Sequence, residues 1–391
     1  MDLSNHKEIF IILTADCNNK CSYCHIGKDY LGDCSYRLHG PMKPDVYREV
    51  HDAIKEYSIR ERKIMNIIYN GGEVLCHKDL LVQSINEFVE LFESDAYNRD
   101  WYIQFFTSGG ELNLAEFSVF LDEITRGRDT KHFIFVFAYD GVNTKIKNKG
   151  KDALERTKLT KSLGYPTKLI YVIHKYNCEN IIESIEEAYD YGIINNLVLK
   201  EDITEEDQDL LNDYILIGLN HVINKTKELF PIYGYSIWPF RIYQKYFESF
   251  KEPQVKICRP DQIIISPEGY CYGCSALTMF RHEYADELYR VNGVKIRKYE
   301  DLLHINHKEL YVEGFDGQKE VERVLKESLE VGFTGFMGIC PFTKHYVRNK
   351  MDIYQLLENS LYNHFPEITV ELERKYMILA NRDALAWQGG G

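Results

Sequence analysis

The chain has 391 residues, 45% of them apolar, and a formal net charge of −13. That length holds two domains or one large domain with an extension, and the apolar share is enough to bury a full core. The acidic balance argues against nucleic-acid binding. Met1–Lys7 has no signal-peptide pattern and no apolar run reaches the length of a membrane span, so a cytoplasmic protein with no membrane partner is expected. Ten cysteines in such a compartment read as metal ligands or thiols before disulfides.

The first apolar run, Ile9–Leu13, reads as a short buried strand. It leads into Cys17-Asn18-Asn19-Lys20-Cys21-Ser22-Tyr23-Cys24. Three thiols spaced by three and then two residues wrap one loop around one side of an iron–sulfur cube. Thiolate is the usual ligand of [4Fe–4S] irons, so three cysteines leave one iron open to a cofactor or substrate. A structural zinc loop is the plainer alternative. Zinc sites usually show two paired knuckles, and no nearby residue completes one, His25 being too close.

Six β-like runs follow in order: Ile9–Leu13, Lys63–Tyr69, Trp101–Thr107, His132–Tyr139, Thr167–His174 and Asn196–Lys200. Helical spacing fills the gaps, as at Leu81, Ile85, Phe88 and Phe92, or at Ile181, Ile182, Ile185 and Tyr189 before a capping Gly192. This alternation predicts an α/β fold with a parallel sheet and right-handed crossovers. The second strand runs into Asn70-Gly71-Gly72-Glu73, where two glycines let backbone approach a ligand and the carboxylate can take an ammonium group. The third ends in Thr107-Ser108-Gly109 and the fourth in Ala138-Tyr139-Asp140-Gly141. Ordinary turn chemistry is the competing reading of Thr107, Ser108 and Asp140. Beyond Lys200 an amphipathic helix is expected over Glu205–Leu229, then an aromatic-rich connection, Pro231–Pro239. A second cysteine group comprises Cys258, Cys271, Cys274 and Cys340, with a strand-like run at Gln262–Ser266. Four thiolates there suit zinc or iron–sulfur.

The C-x3-C-x2-C loop after a first strand resembles the radical S-adenosylmethionine (SAM) superfamily, with Tyr23 where the family has an aromatic. The resemblance implies a partial (β/α)6 TIM-like barrel whose open iron chelates SAM. It also implies reductive cleavage to a 5′-deoxyadenosyl radical that abstracts hydrogen from substrate. Gly71, Gly72 and Glu73 look like the family's G-G-E, which holds the SAM amino group. Thr107-Ser108-Gly109 is similar to its T-N-G, with Ser for Asn. Asp140-Gly141 is similar to its S-x-D-G, with Ala138 for Ser and lysines such as Lys147 and Lys149 for the following Arg. Lys175–Cys178 falls near where the family lines the adenine pocket. The spacing C-x10-G-x4-C from Cys258 through Gly269 to Cys274 resembles the SPASM/twitch α+β extension. With Cys340 it implies one auxiliary [4Fe–4S] cluster, held either by four thiolates including Cys271 or by Cys258, Cys274 and Cys340 alone with one iron open.

The resemblance divides the chain into a barrel (1–200), a helical linker (201–255), a twitch-like domain (256–345) and C-terminal helices with a tail (346–391). Cys34, Cys76 and Cys178 are left over. Each reads first as a buried thiol, but Cys76 is the candidate hydrogen-atom donor, as in radical epimerases. The expected activity is hydrogen abstraction from a peptide or protein, with electrons from a flavodoxin- or ferredoxin-like donor. Only eight residues precede the first strand, which argues against an N-terminal leader-recognition domain. The alternatives are a sugar or aminocyclitol dehydrogenase or epimerase acting on a small molecule, and a non-catalytic iron–sulfur or zinc sensor.

Overall fold

Strand and helix alternate from the first described residue, each apolar run pairing with the next. The structure, a computed structural model, describes residues 6–19, 21, 40–144, 149–193, 196–201, 208–233, 262–273, 285–303, 311–313, 315–316 and 319. Strands β1 (His6–Ile12), β2 (Ile64–Asn70), β3 (Trp101–Thr107), β4 (Phe133–Tyr139), β5 (Thr167–Ile173) and β6 (Leu197–Glu201) lie side by side in chain order, all parallel. Helices α1 (Pro44–Glu61), α2 (Lys78–Phe92), α3 (Leu114–Thr125), α4 (Lys151–Ser162) and α5 (Ile181–Asp190) connect them, and α6 (Gln208–Tyr233) follows. The sheet is a partial TIM-like α/β barrel and does not close. β6 forms one edge, while the other flank of β1 carries β7 (Gln262–Ile265) in parallel. β8 (Tyr270–Tyr272) and β9 (Val294–Lys295) then add antiparallel, for nine strands in all. A short helix α7 (Ala285–Asn292) and a two-stranded pair, β10 (Tyr311–Val312) with β11 (Phe315–Asp316), complete the described elements.

Period-two alternation decides which face is the core. In β3, Trp101, Ile103, Phe105 and Thr107 are buried while Tyr102, Gln104 and Phe106 are half-buried. In β4 the core-facing set is Phe133, Phe135, Phe137 and Tyr139, with Val136 of the opposite face buried as well, and in β5 it is Thr167, Leu169, Tyr171 and Ile173. The Phe105 and Phe135 rings stack with centroids 4.7 Å apart. Each such side chain contributes roughly 1.5–3 kcal/mol through burial. Local chemistry sets the helix ends. Pro44 opens α1, and an Asn113–Glu116 capping box starts α3. Gly192 closes α5, its N–H reaching the Tyr189 carbonyl at 2.8 Å.

A polar network is buried between α1, α2 and β2. Ser84 Oγ lies 2.6 Å from both His51 Nε2 and Tyr69 Oη, and Glu87 Oε2 lies 3.4 Å from His51 Nδ1 and 2.8 Å from Lys55 Nζ. Burial holds the His51 pKa below its usual value. The approach of His51, with the Lys55 bond beside it, is the main cause of the Glu87 carboxyl lying well below the carboxylate range.

Most strand ends fall within one residue of the sequence reading, and two boundaries differ by more with a physical reason. β1 starts at His6 rather than Ile9, because the polar start is paired: Gln262 Nε2 of β7 donates to Glu8 Oε2 at 2.8 Å. Helix α6 continues through Pro231 to Tyr233, so the residue expected to open the connection lies in the helix's last turn. There the missing N–H removes one intrahelical hydrogen bond, two residues before the helix ends. The expected elements at 234–261 and 320–391 fall outside the described residues. Among the described residues no helix is long and apolar enough to cross a membrane.

Candidate active site

The loops leaving the C-terminal ends of β1, β2 and β3 meet at one point. After β1, Met42 N–H bonds the Leu13 carbonyl at 2.7 Å and Thr14 Oγ1 accepts the Asp16 N–H at 2.9 Å. This turns the chain into the cysteine loop. Cys17 is exposed and Cys21 is buried. The Asn19 N–H donates to Cys17 Sγ at 3.4 Å. Tyr23, Cys24 and Cys34 lie outside the described residues.

The loop after β2 is stitched onto this one. Gly72 N–H reaches the Thr14 carbonyl at 2.9 Å and Glu73 N–H reaches the Asp16 carbonyl at 2.8 Å. A Cβ on Gly72 would stand 2.2 Å from the Asp16 carbonyl oxygen, and one on Gly71 (φ +137°) 2.6 Å from that of Thr14. Both positions therefore require glycine. His77 Nε2 adds a second tie, 2.8 Å from Asp16 Oδ2.

Glu73 is the centre of the arrangement and is only 2% exposed. A buried carboxylate must be hydrogen-bonded, and every acceptor direction of this one is occupied. Oε1 accepts from the Leu75 N–H (3.2 Å) and from Thr107 Oγ1. Oε2 accepts from the Ser108 N–H (2.8 Å) and Ser108 Oγ (2.5 Å). The expected G-G-E and T-S-G residues are thus brought into one cluster. Ser108 Oγ also accepts from Asn19 Nδ2 at 2.9 Å, reaching back into the cysteine loop. Beneath the β3 loop, Arg156 of α4 donates to the Leu112 carbonyl at 2.8 Å and approaches that of Ser108 at 3.4 Å. Burial lowers its pKa, while the carboxylates of Asp152 and Glu73 act in the opposite sense.

Asp140 is fully buried at the end of β4. Its backbone is held by the Lys149 carbonyl (2.7 Å) and by Asn177 Nδ2 (2.9 Å), so the loops after β4 and β5 are joined to each other. His174, at the end of β5, has its pKa lowered to about 4, first by burial and then by Lys149. Lys149 is itself 8% exposed; Lys147 lies outside the described residues.

The remaining cysteines are placed as follows. Cys76 Sγ donates to Glu111 Oε1 at 3.6 Å, and its pKa is pushed up to about 12 by burial and by Glu111, Glu73 and Cys17. It is a protonated thiol beside the Glu73 cluster. Cys178 is buried with its Sγ toward the Lys175 carbonyl (3.8 Å). Cys271, on β8, is buried in the core with Sγ 3.3 Å from the Val294 carbonyl, and burial pushes its pKa up to about 12. Its expected partners Cys258, Cys274 and Cys340 lie outside the described residues.

These donors suit an iron–sulfur group with a zwitterionic cofactor. Two thiols share one loop, an N–H points at one sulfur, and a glycine cradle leads to a buried carboxylate. Among the described residues no three metal-ligating side chains converge, the third thiol of the loop being outside them. The sequence reading missed Asp16, Asn19, His77 and Arg156, and had Asn177 only as part of the Lys175–Cys178 stretch. Of those missed, only Asn19 carried a signal, as a polar residue inside the C-x3-C loop.

A family model described as the Radical SAM superfamily matches residues 11–214, more than half of the chain. No characterised protein matches by sequence. Among solved structures, His6-tagged anSMEcpe with bound AdoMet superposes with a TM-score of 0.62 at 14% identity, over 96% of this chain and 98% of that one. Native anSMEcpe with bound AdoMet and the Cp18Cys peptide gives 0.60 at 15%, over 96% and 99%. Streptococcus suis SuiB gives 0.43 at 15%, over 74% and 65%. At these identities the likeness to anSMEcpe is one of fold. Taken with the family match over the strands and loops that build this site, it leads to one conclusion: the chain belongs to the radical SAM superfamily.

Proposed function

We propose that this protein is a radical SAM enzyme that abstracts a hydrogen atom from a peptide or protein substrate. The observation that carries the reading is Glu73, a buried carboxylate at the meeting of three strand ends, beside the cysteine loop. When bound, a [4Fe–4S] cluster supplies the electron that cleaves SAM to the 5′-deoxyadenosyl radical. The chain's own residues do the rest. Cys17, Cys21 and Cys24 would hold the cluster, with Tyr23 as the aromatic residue of the same motif. Gly71 and Gly72 let the loop after β2 close onto the cysteine loop, and Glu73 takes the cofactor's ammonium group as the Thr107 hydroxyl turns away, with Ser108 fixing the carboxylate. Asp140, anchored through Asn177, shapes the loop that borders the cofactor on the β4 side.

The peptide assignment rests on the fold shared with anSMEcpe across 96% of the chain, a protein solved with a peptide bound. In the same reading Cys258, Cys271, Cys274 and Cys340 hold one auxiliary cluster in a twitch-like domain. A low-potential flavodoxin- or ferredoxin-type protein delivers electrons. Cys76, a thiol that stays protonated at neutral pH, is the candidate hydrogen donor to a substrate radical.

The test is anaerobic turnover with SAM, dithionite and a pool of synthetic peptides carrying Cys, Ser and Tyr. The reading predicts peptide-stimulated 5′-deoxyadenosine and a mass change on one peptide. Stimulation by an amino sugar or aminocyclitol, with none by peptides, overturns the substrate assignment.

A further inference from the structure

One hydroxyl joins the cofactor carboxylate to the cysteine loop. A hydroxyl has a single proton to give. Ser108 Oγ gives it to Glu73 Oε2, because a carboxylate offers only lone pairs. Its own lone pairs then accept the Asn19 Nδ2 proton. The direction of the chain is therefore fixed. Asn19 in turn places its backbone N–H on Cys17 Sγ. Asn19 is half-buried, and its Oδ1 is buried with no hydrogen-bond partner, so within the described residues the Ser108 bond is what holds its amide. Glu73, Ser108, Asn19 and Cys17 Sγ form one continuous relay.

We propose that Ser108 is a positioning residue that acts through Asn19 to hold the N–H···S hydrogen bond on Cys17. The inference rests on the reading that Cys17 ligates the cluster. Hydrogen bonds to cluster sulfurs tune the reduction potential. An N–H aimed at a thiolate stabilises the more negative, reduced state, so losing that bond lowers the potential. The relay also explains why serine serves at a position where the similar T-N-G motif has asparagine. Both side chains can donate to the Glu73 carboxylate and accept from Asn19 at the same time.

The experiment measures the midpoint potential of the SAM-site cluster, without SAM, in the full chain and in Ser108→Ala, Asn19→Ala, the double variant and Ser108→Asn. Iron content is matched throughout. The expected result is a downward shift of similar size in both single variants, no further shift in the double, and recovery in Ser108→Asn. With SAM present, both single variants are expected to lower kcat for 5′-deoxyadenosine formation about tenfold, and Asn19→Ala, which leaves the Ser108–Glu73 bond in place, to do so with KM for SAM within about twofold. Asn19→Ala keeps the test informative if loss of the buried serine perturbs folding, because Asn19 lies on a loop. Unchanged potentials in both single variants overturn the relay, and so do additive shifts in the double or no recovery with asparagine. A parent protein that holds its cluster but makes no 5′-deoxyadenosine refutes the enzymatic reading instead, and leaves the potentials interpretable.

Discussion

Replacing Glu73 with glutamine changes one atom and is predicted to be poorly tolerated. The carboxylate accepts two backbone N–H groups, Leu75 at 3.2 Å on Oε1 and Ser108 at 2.8 Å on Oε2. Backbone donors cannot turn away, whereas the Thr107 and Ser108 hydroxyls can. Whichever way the glutamine amide is placed, its NH2 faces one of those N–H groups. The longer contact makes Leu75 the lesser conflict, so the NH2 is expected to settle on that side. A buried donor left unsatisfied costs about 1–3 kcal/mol, and the surviving bonds lose their charge assistance. Glu73→Gln should therefore unfold in urea with about 2 kcal/mol less stability and an unchanged m-value. Loss of the charge that meets the SAM ammonium should weaken SAM binding by about ten- to a hundredfold in anaerobic calorimetry, since a charged hydrogen bond contributes about 1.5–3 kcal/mol. A Glu73→Gln protein as stable as the parent, with the same SAM affinity, would refute the reasoning.

The glycine cradle gives a second test. In Gly72→Ala the new Cβ meets the Asp16 carbonyl at 2.2 Å, more than 1 Å inside ordinary contact. The loop must retreat and give up the Gly72–Thr14 and Glu73–Asp16 hydrogen bonds. At about 1 kcal/mol each, SAM affinity should fall at least tenfold with iron content retained, and equal affinity contradicts the close approach. Stability should fall on acidification, beginning near pH 6.5. Below that value the unfolded chain binds a proton that buried His51 refuses, a slope of up to about 1.4 kcal/mol per pH unit. Glu87 adds to the loss below its ordinary pKa of 4.5, because its folded-state pKa is depressed. His51→Phe should flatten the pH 5–6.5 part of the profile in urea titrations, and a slope identical to the parent's contradicts the assignment. Cys258→Ala should remove the auxiliary iron while leaving some uncoupled SAM cleavage; an unchanged iron count sinks that assignment.

The barrel strands were legible because each is a run of alternating or continuous apolar residues; Trp101–Thr107 appears in the fold with the ends its sequence suggested. β1 was cut short because His6, Lys7 and Glu8 look like surface until β7, 254 residues away, supplies the partner for Glu8. A hydrogen bond across that separation leaves no local trace. The G-G-E and T-S-G motifs stood out as turns at strand ends, yet their convergence on one carboxylate depends on how parallel strands bring loop ends together. The Asn19–Ser108 and Asp16–His77 ties, 89 and 61 residues apart, were invisible for the same reason. Pro231 misled because proline usually ends a helix, whereas here it sits in the last turn, with the loss of one intrahelical hydrogen bond and only Ile232 and Tyr233 beyond it in the helix.

The central claim is that the Cys17 loop carries a SAM-cleaving cluster. The direct measurement is anaerobic reconstitution with iron and sulfide, iron quantitation, and dithionite-driven SAM cleavage in the parent and in Cys17→Ala. The account predicts about eight irons per chain in the parent, as two four-iron clusters, with 5′-deoxyadenosine formed. It predicts about four irons and no 5′-deoxyadenosine in the variant. Deoxyadenosine from Cys17→Ala, or none from a fully loaded parent, would contradict it.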